Sequence, residues 1–172
     1  MPFARVAAPD SLVRLETFCN SARFLYGEDA FGDVAGAGKW LRAHEMPVRG
    51  LDECGLARLT EAREAIRDHL GGETGATLNR YTAEVLTGPV WAPDGRAVLE
   101  PKVGTGVDGL LGELLAELCT AALRDETARL KVCRAPECRW VFYDRSPAGN
   151  SVWCSMEICG ARHKMRAYRA RR

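Results

Sequence analysis

The chain has 172 residues, of which 47% are hydrophobic and 27% charged, and its formal net charge is +1 at pH 7. These proportions exclude low-complexity disorder and collagen-like repeats, and no apolar run approaches the roughly 18 residues of a membrane-spanning helix. The opening segment MPFARVAAPD lacks the apolar stretch of a secretory signal, so a cytoplasmic location with no membrane association is expected.

Taken in chain order, Asp10 is placed to cap a first helix, because its carboxylate can accept first-turn amides. Leu12, Leu15, Phe18, Cys19, Ala22 and Leu25 then recur at helical steps. Glycines from Gly27 to Gly38 loosen the chain before Trp40 and Leu41, which read as the buried end of a short helix. Pro47 and Gly50 mark a loop. Leu56, Leu59, Ala62, Ile66 and Leu70 predict a long second helix, with Arg58, Glu61, Glu64, Arg67 and Asp68 on its wet side and Gly71-Gly72 as its stop. A short helix is predicted around Thr77–Tyr81. Between residues 83 and 103 the pattern changes to a β-hairpin about Pro93-Asp94-Gly95. Asp108 is the expected cap of the strongest helix, which carries Leu110, Leu111, Leu114, Leu115, Leu118 and Ala122 and extends toward Leu130. The reading is α+β, mainly α: a helical domain over 1–130 with one hairpin, then a small module over 131–172 ending in a basic helix.

Charge and cysteine content both divide at this boundary. Residues 133–172 carry a net +6, while residues 1–132 carry −5. Of seven cysteines, Cys19, Cys54 and Cys119 are scattered and read as small core fillers. The other four follow the spacing C-x4-C-x15-C-x4-C: Cys133, Cys138, Cys154 and Cys159. Two tight pairs joined by a medium loop supply the tetrahedral thiolate shell of a structural zinc. An iron–sulfur cluster and a pair of disulfides use the same residues and stay open at this point. Ser155 is an N-cap candidate, with Glu157 in the first turn of a helix running to about Tyr168. Trp140, Phe142 and Trp153 are expected to cover the site, and His163 is a conceivable substitute ligand. Downstream, Arg162, Lys164, Arg166 and Arg169 form a candidate nucleic-acid surface, since arginine presents a fork matched to phosphate.

The run Cys133-x4-Cys138-x3-Phe142-x-Asp144-x-Ser146, followed by Trp153-Cys154-Ser155-Met156-x2-Cys159-Gly160-x-Arg162-x-Lys164, resembles the CGNR zinc finger. That finger usually follows an N-terminal ABATE domain in bacterial proteins, and Leu15–Phe18–Asn20 with Trp40-Leu41 is similar to the ABATE start. The resemblance implies a zinc-bearing transcription regulator that binds DNA through basic residues. The chain departs from the pattern at Ala161, where the tetrad has Asn, at Ser151-Val152, where basic residues are common, and at Ser21, where Thr is commoner.

Three function classes compete. The first is a DNA-binding regulator whose body senses a small-molecule effector or forms a homodimer. The second is a protein-interaction adaptor with a purely structural zinc, in which the acidic body packs over the basic helix and masks it. The third, an enzyme, is not expected: four thiolates leave a metal no open position, and no nucleophile-elbow, P-loop or dinucleotide-binding glycine pattern is present. Any effector pocket is expected beside the hairpin and Trp91.

Overall fold

The structure, a computed structural model, describes residues 6–172 apart from residue 74 and the side chains of residues 10 and 11. The elements are α1 (Asp10–Cys19), a hairpin of β1 (Ala22–Arg23) and β2 (Glu28–Asp29) joined through a 3-10 turn at Phe24–Tyr26, α2 (Val34–Ala43), α3 (Glu53–Leu70) and α4 (Ala76–Val85). A second hairpin pairs β3 (Val90–Trp91) with β4 (Ala97–Val98), and α5 (Gly106–Leu123) follows. A 3-10 turn at Glu126–Arg129 leads into the hairpin of β5 (Leu130–Val132) and β6 (Val141–Tyr143). A π-helical turn at Met156–Gly160 then runs into α6 (Ala161–Arg169). Each hairpin is a separate antiparallel pair.

Helix α5 is the centre of the body. Leu110, Leu111, Leu114, Leu115 and Leu118 are all buried on it, and it packs against α1, α3 and α4. Its partners present Leu12, Leu15 and Phe18 from α1, Leu59, Ala62 and Ile66 from α3, and Leu78, Tyr81 and Val85 from α4. Each leucine, isoleucine, valine or phenylalanine among them contributes about 1.5–3 kcal/mol on leaving water. Gly112 permits a close crossing: a Cβ there would lie 2.7 Å from Pro101 Cβ.

The helix starts differ from expectation. Pro9 stands in the capping position of α1, which begins on Asp10; the side chain of Asp10 lies outside the described residues. Asp108 sits inside the first turn of α5, with Thr105 in the capping position, and pairs with Arg58 at 2.9 Å. In the body, side-chain caps form at Asp33, accepting from the Gly36 amide at 2.7 Å, and at Asp52, accepting from Gly55 at 2.8 Å. The glycine-rich stretch is therefore half structured, because a capped α2 absorbs Gly36 and Gly38. Ala83–Val85 complete α4, so the strands of the expected hairpin are Val90–Trp91 and Ala97–Val98, with antiparallel contact continuing outward through the Leu86–Pro101 bridge and the Lys102 N–H to the Val85 carbonyl. Helix α5 stops at Leu123 because Asp125 adopts the left-handed region at φ +57, which ends a helical run. Of the scattered thiols, Cys19 is buried and Cys119 half-buried, but Cys54 is exposed on the first turn of α3.

Arg67, read from the sequence as solvated, is fully buried, as is Arg63. Arg63 grips Asp29 through two hydrogen bonds of 2.7 Å and also donates to Ser21 Oγ at 3.0 Å. Arg67 donates to the carbonyls of Cys19 and Ala22 and to Glu64. Together they fasten the β1–β2 hairpin to α3. The side chains of these arginines also lie over the ring of Phe24.

The third hairpin joins body and tail. Leu130, Val132, Val141 and Tyr143 belong to the body's core, whereas Phe142 points into a second buried cluster made with Cys133, Ala135, Cys138, Cys154 and Cys159. Alternation along a strand produces this division, since successive side chains leave opposite faces. Asn20 at the end of α1 clasps β6: its amide donates to the Val141 carbonyl at 2.8 Å and its oxygen accepts the Val141 N–H at 2.9 Å.

Candidate metal centre and basic helix

The first knuckle leaves β5 at Val132. Cys133 N–H donates to the Trp140 carbonyl at 2.9 Å, and Cys138 N–H to the Ala135 carbonyl at 2.8 Å, closing a tight turn over Pro136. Arg139 then takes φ +50, which redirects the chain into β6, and its guanidinium pairs with Asp68 and Glu64 on α3. In the second knuckle Ser155 Oγ accepts from the Ile158 N–H at 3.3 Å, the expected N-cap, while the Cys159 and Gly160 amides both reach the Ser155 carbonyl at 3.0 Å. Gly160 makes room at this turn: a Cβ would lie 3.0 Å from Met156 Sδ and 3.4 Å from Trp153. The knuckles are tied by the Arg134 N–H donating to the Val152 carbonyl at 3.0 Å.

These turns bring four sulfurs together. Cys138 and Cys154 Sγ are 3.6 Å apart, Cys154 and Cys159 Sγ 3.7 Å, and all four lie within 4.8 Å of one another, buried. Thiolates bound to zinc at about 2.3 Å occupy tetrahedron corners about 3.8 Å apart, so the separations fit one ion. None of the four cysteines is disulfide-bonded, and the gaps far exceed the roughly 2.05 Å of an S–S bond. The donor set and its spread fit zinc.

Electrostatics point the same way. Hydrogen bonds from Cys138 and Cys154 push the Cys133 thiol down and favour its thiolate. The same hydrogen bonding to Cys133 pushes Cys138 and Cys154 up, and burial pushes Cys159 up. Four crowded sulfurs do not ionise together without a cation, so a bound dication supplies the charge that lets them all become thiolates.

Phe142 is buried against the sulfurs, with Trp140, Trp153 and Ile158 partly buried beside it, as expected; Leu25 from the Phe24–Tyr26 turn joins them from the body. His163 lies outside the four-sulfur group, its ring tilted at 34° to that of Trp153 with centroids 4.8 Å apart, so its conceivable role as a ligand is not realised.

One organising residue had no role assigned from the sequence. Asp144, fully buried, accepts from Ser146 N–H at 3.0 Å, Ser151 Oγ and N–H at 2.8 Å, and Lys131 Nζ at 3.2 Å. Burial pushes its pKa up, but the hydrogen bonds from Ser151 and Ser146 outweigh this and hold it below the usual carboxylate range. It shapes the loop between the knuckles. The signal was the Asp-x-Ser spacing, since aspartate often accepts from the amide two residues on.

The four candidate nucleic-acid residues separate. Arg162, Arg166 and Arg169 line one shallow hollow of about 510 Å³ together with Ile158, Ala161 and Met165. Lys164 is absent from it: two residues beyond Arg162, it is rotated about 200° round the helix. Every residue of α6 is exposed except Ala167, which is partly so; the acidic body does not cover the helix. In the body, a hollow of about 560 Å³ lies under β4 against Ala116, Glu117 and Thr120 of α5. It adjoins the hairpin, as expected, but excludes Trp91, which points into solvent at 77% exposure. A larger hollow, about 810 Å³, separates the end of α3 from the first knuckle.

Residues 129–172 match the family model of the CGNR zinc finger, a span that holds all four clustered cysteines and α6. No curated protein matches the chain. Among the described residues no helix is long and apolar enough to cross a membrane.

Proposed function

We propose that the chain is a cytoplasmic transcription regulator in which the zinc module presents the Arg162–Arg166–Arg169 face of α6 to DNA. The observation that carries this reading is the exposure of that face on a helix fixed at its start by Cys159. The metal's role is structural: it holds the two knuckles together and so aims α6. With four thiolates it has no position for substrate, and the protein is read as non-catalytic. Residues 1–130 act as an ABATE-like body that senses a small-molecule effector or forms a homodimer, and its hollows are the places for such an effector.

The test is fluorescence anisotropy of the full chain with a random-sequence duplex, titrated with salt. Two to three phosphate contacts give a log–log slope of about −2 to −3, and chelation of the metal abolishes binding. Absence of binding to any duplex at low salt overturns the reading. The adaptor alternative draws on one observation, the apolar floor of Ile158, Ala161 and Met165 between the arginines. Recovery of a single protein partner without nucleic acid selects it instead.

A further inference from the structure

The arginine face is not uniformly positive. Glu137, one residue before the ligand Cys138, lines the same hollow as Arg162, Arg166 and Arg169. Its carboxylate accepts from Arg166 Nη1 at 2.5 Å. Its position is set by the knuckle: the turn from Ala135 to Cys138 is closed by a backbone hydrogen bond, and Cys138 is held by the sulfur cluster. A carboxylate so placed offers a guanidinium the same two-oxygen acceptor that a phosphate would. Glu157 lines the hollow too, but has no ion pair among the described residues.

We propose that Glu137 is a specificity-determining residue of the nucleic-acid face: it occupies Arg166 as a phosphate mimic and so suppresses sequence-independent binding to DNA. This rests on the DNA-binding reading above. A phosphate approaching Arg166 competes with the carboxylate for Nη1 and meets its like charge. A random duplex bears that cost in full. A site offering a base-edge donor to the carboxylate, such as the cytosine amino group, recovers part of it.

The experiment measures salt-dependent anisotropy of zinc-loaded full-length chain on one random duplex for wild type, Glu137→Gln, Glu157→Gln, Arg166→Ala and the Glu137→Gln/Arg166→Ala double variant, with zinc content checked for each. Glu137→Gln is expected to bind about threefold to fivefold tighter, the range an exposed ion pair contributes, and its salt slope steepens by about one. Glu157→Gln gains less than about twofold with no change in slope. Arg166→Ala costs little alone but cancels the gain in the double variant. A Glu137→Gln chain that binds no tighter, or gains no more than Glu157→Gln with an unchanged slope, contradicts the proposal. Absence of binding by every variant at low salt overturns the DNA-binding reading itself, and this inference with it.

Discussion

The body is held by apolar surface: five leucines of α5 are buried against three other helices. In the C-terminal module the buried cluster round the sulfurs is four cysteines, one alanine and one phenylalanine. A cluster so small does not offset the conformational entropy of about forty residues. The difference predicts that the body folds without the metal, while the module depends on it. Structural zinc in small modules supplies about 10–16 kcal/mol, far more than the module's own core. The β5–β6 hairpin joins the two regimes, with Val141 in one core and Phe142 in the other.

The largest effect that would break this contrast is metal removal. Chelation is expected to expose amides across residues 133–169 to hydrogen exchange while α5 stays protected. Uniform exchange through both regions would show that they are one cooperative unit. Next in size is Leu114→Ala at the centre of α5, expected to cost about 2–5 kcal/mol through the lost side chain and the cavity it leaves. Its thermal midpoint should fall with no change in zinc stoichiometry.

These two effects were legible in the sequence, because each rests on local periodicity or spacing: leucines at helical steps, and cysteines in pairs. What joins the regions was not legible. The Asn20–Val141 clasp spans 121 residues, and the Arg63–Asp29 grip joins a helix to a two-residue strand too short to announce itself. Arg67 reads as solvated because its charge invites that, yet two backbone carbonyls and Glu64 pair its terminal nitrogens inside, while its buried Nε has no hydrogen-bond partner among the described residues. Counting cations also grouped Lys164 with its neighbours, whereas the rotation of the helix turns it to another face. The capping positions shifted because the backbone path puts Pro9 and Thr105, rather than Asp10 and Asp108, at the helix starts.

The clasp permits a finer test. Asn20→Ala leaves the buried Val141 N–H and carbonyl without the partners they have in the structure, at a cost of about 1–3 kcal/mol. Zinc content should stay at wild-type level, with hydrogen exchange raised at β6 specifically; loss of zinc would mean that the clasp builds the module rather than docks it. The smallest effect is on pH dependence. Because Asp144 is held below its ordinary value, its contribution is present above about pH 3.9, its unfolded value, and is lost as pH falls through the lower folded value. The loop over residues 144–151 should therefore keep its order at pH 5 and loosen only in stronger acid, followed by amide chemical shifts. Asp144→Asn should remove that acid transition.

The most direct measurement is elemental analysis with thiol counting on purified full-length protein, beside a Cys133→Ser/Cys138→Ser variant. About one zinc per chain, with all four module thiols reduced and the metal lost in the variant, is the expected result. A metal-free chain with an ordered C-terminal module, or disulfides among Cys133, Cys138, Cys154 and Cys159, would contradict it.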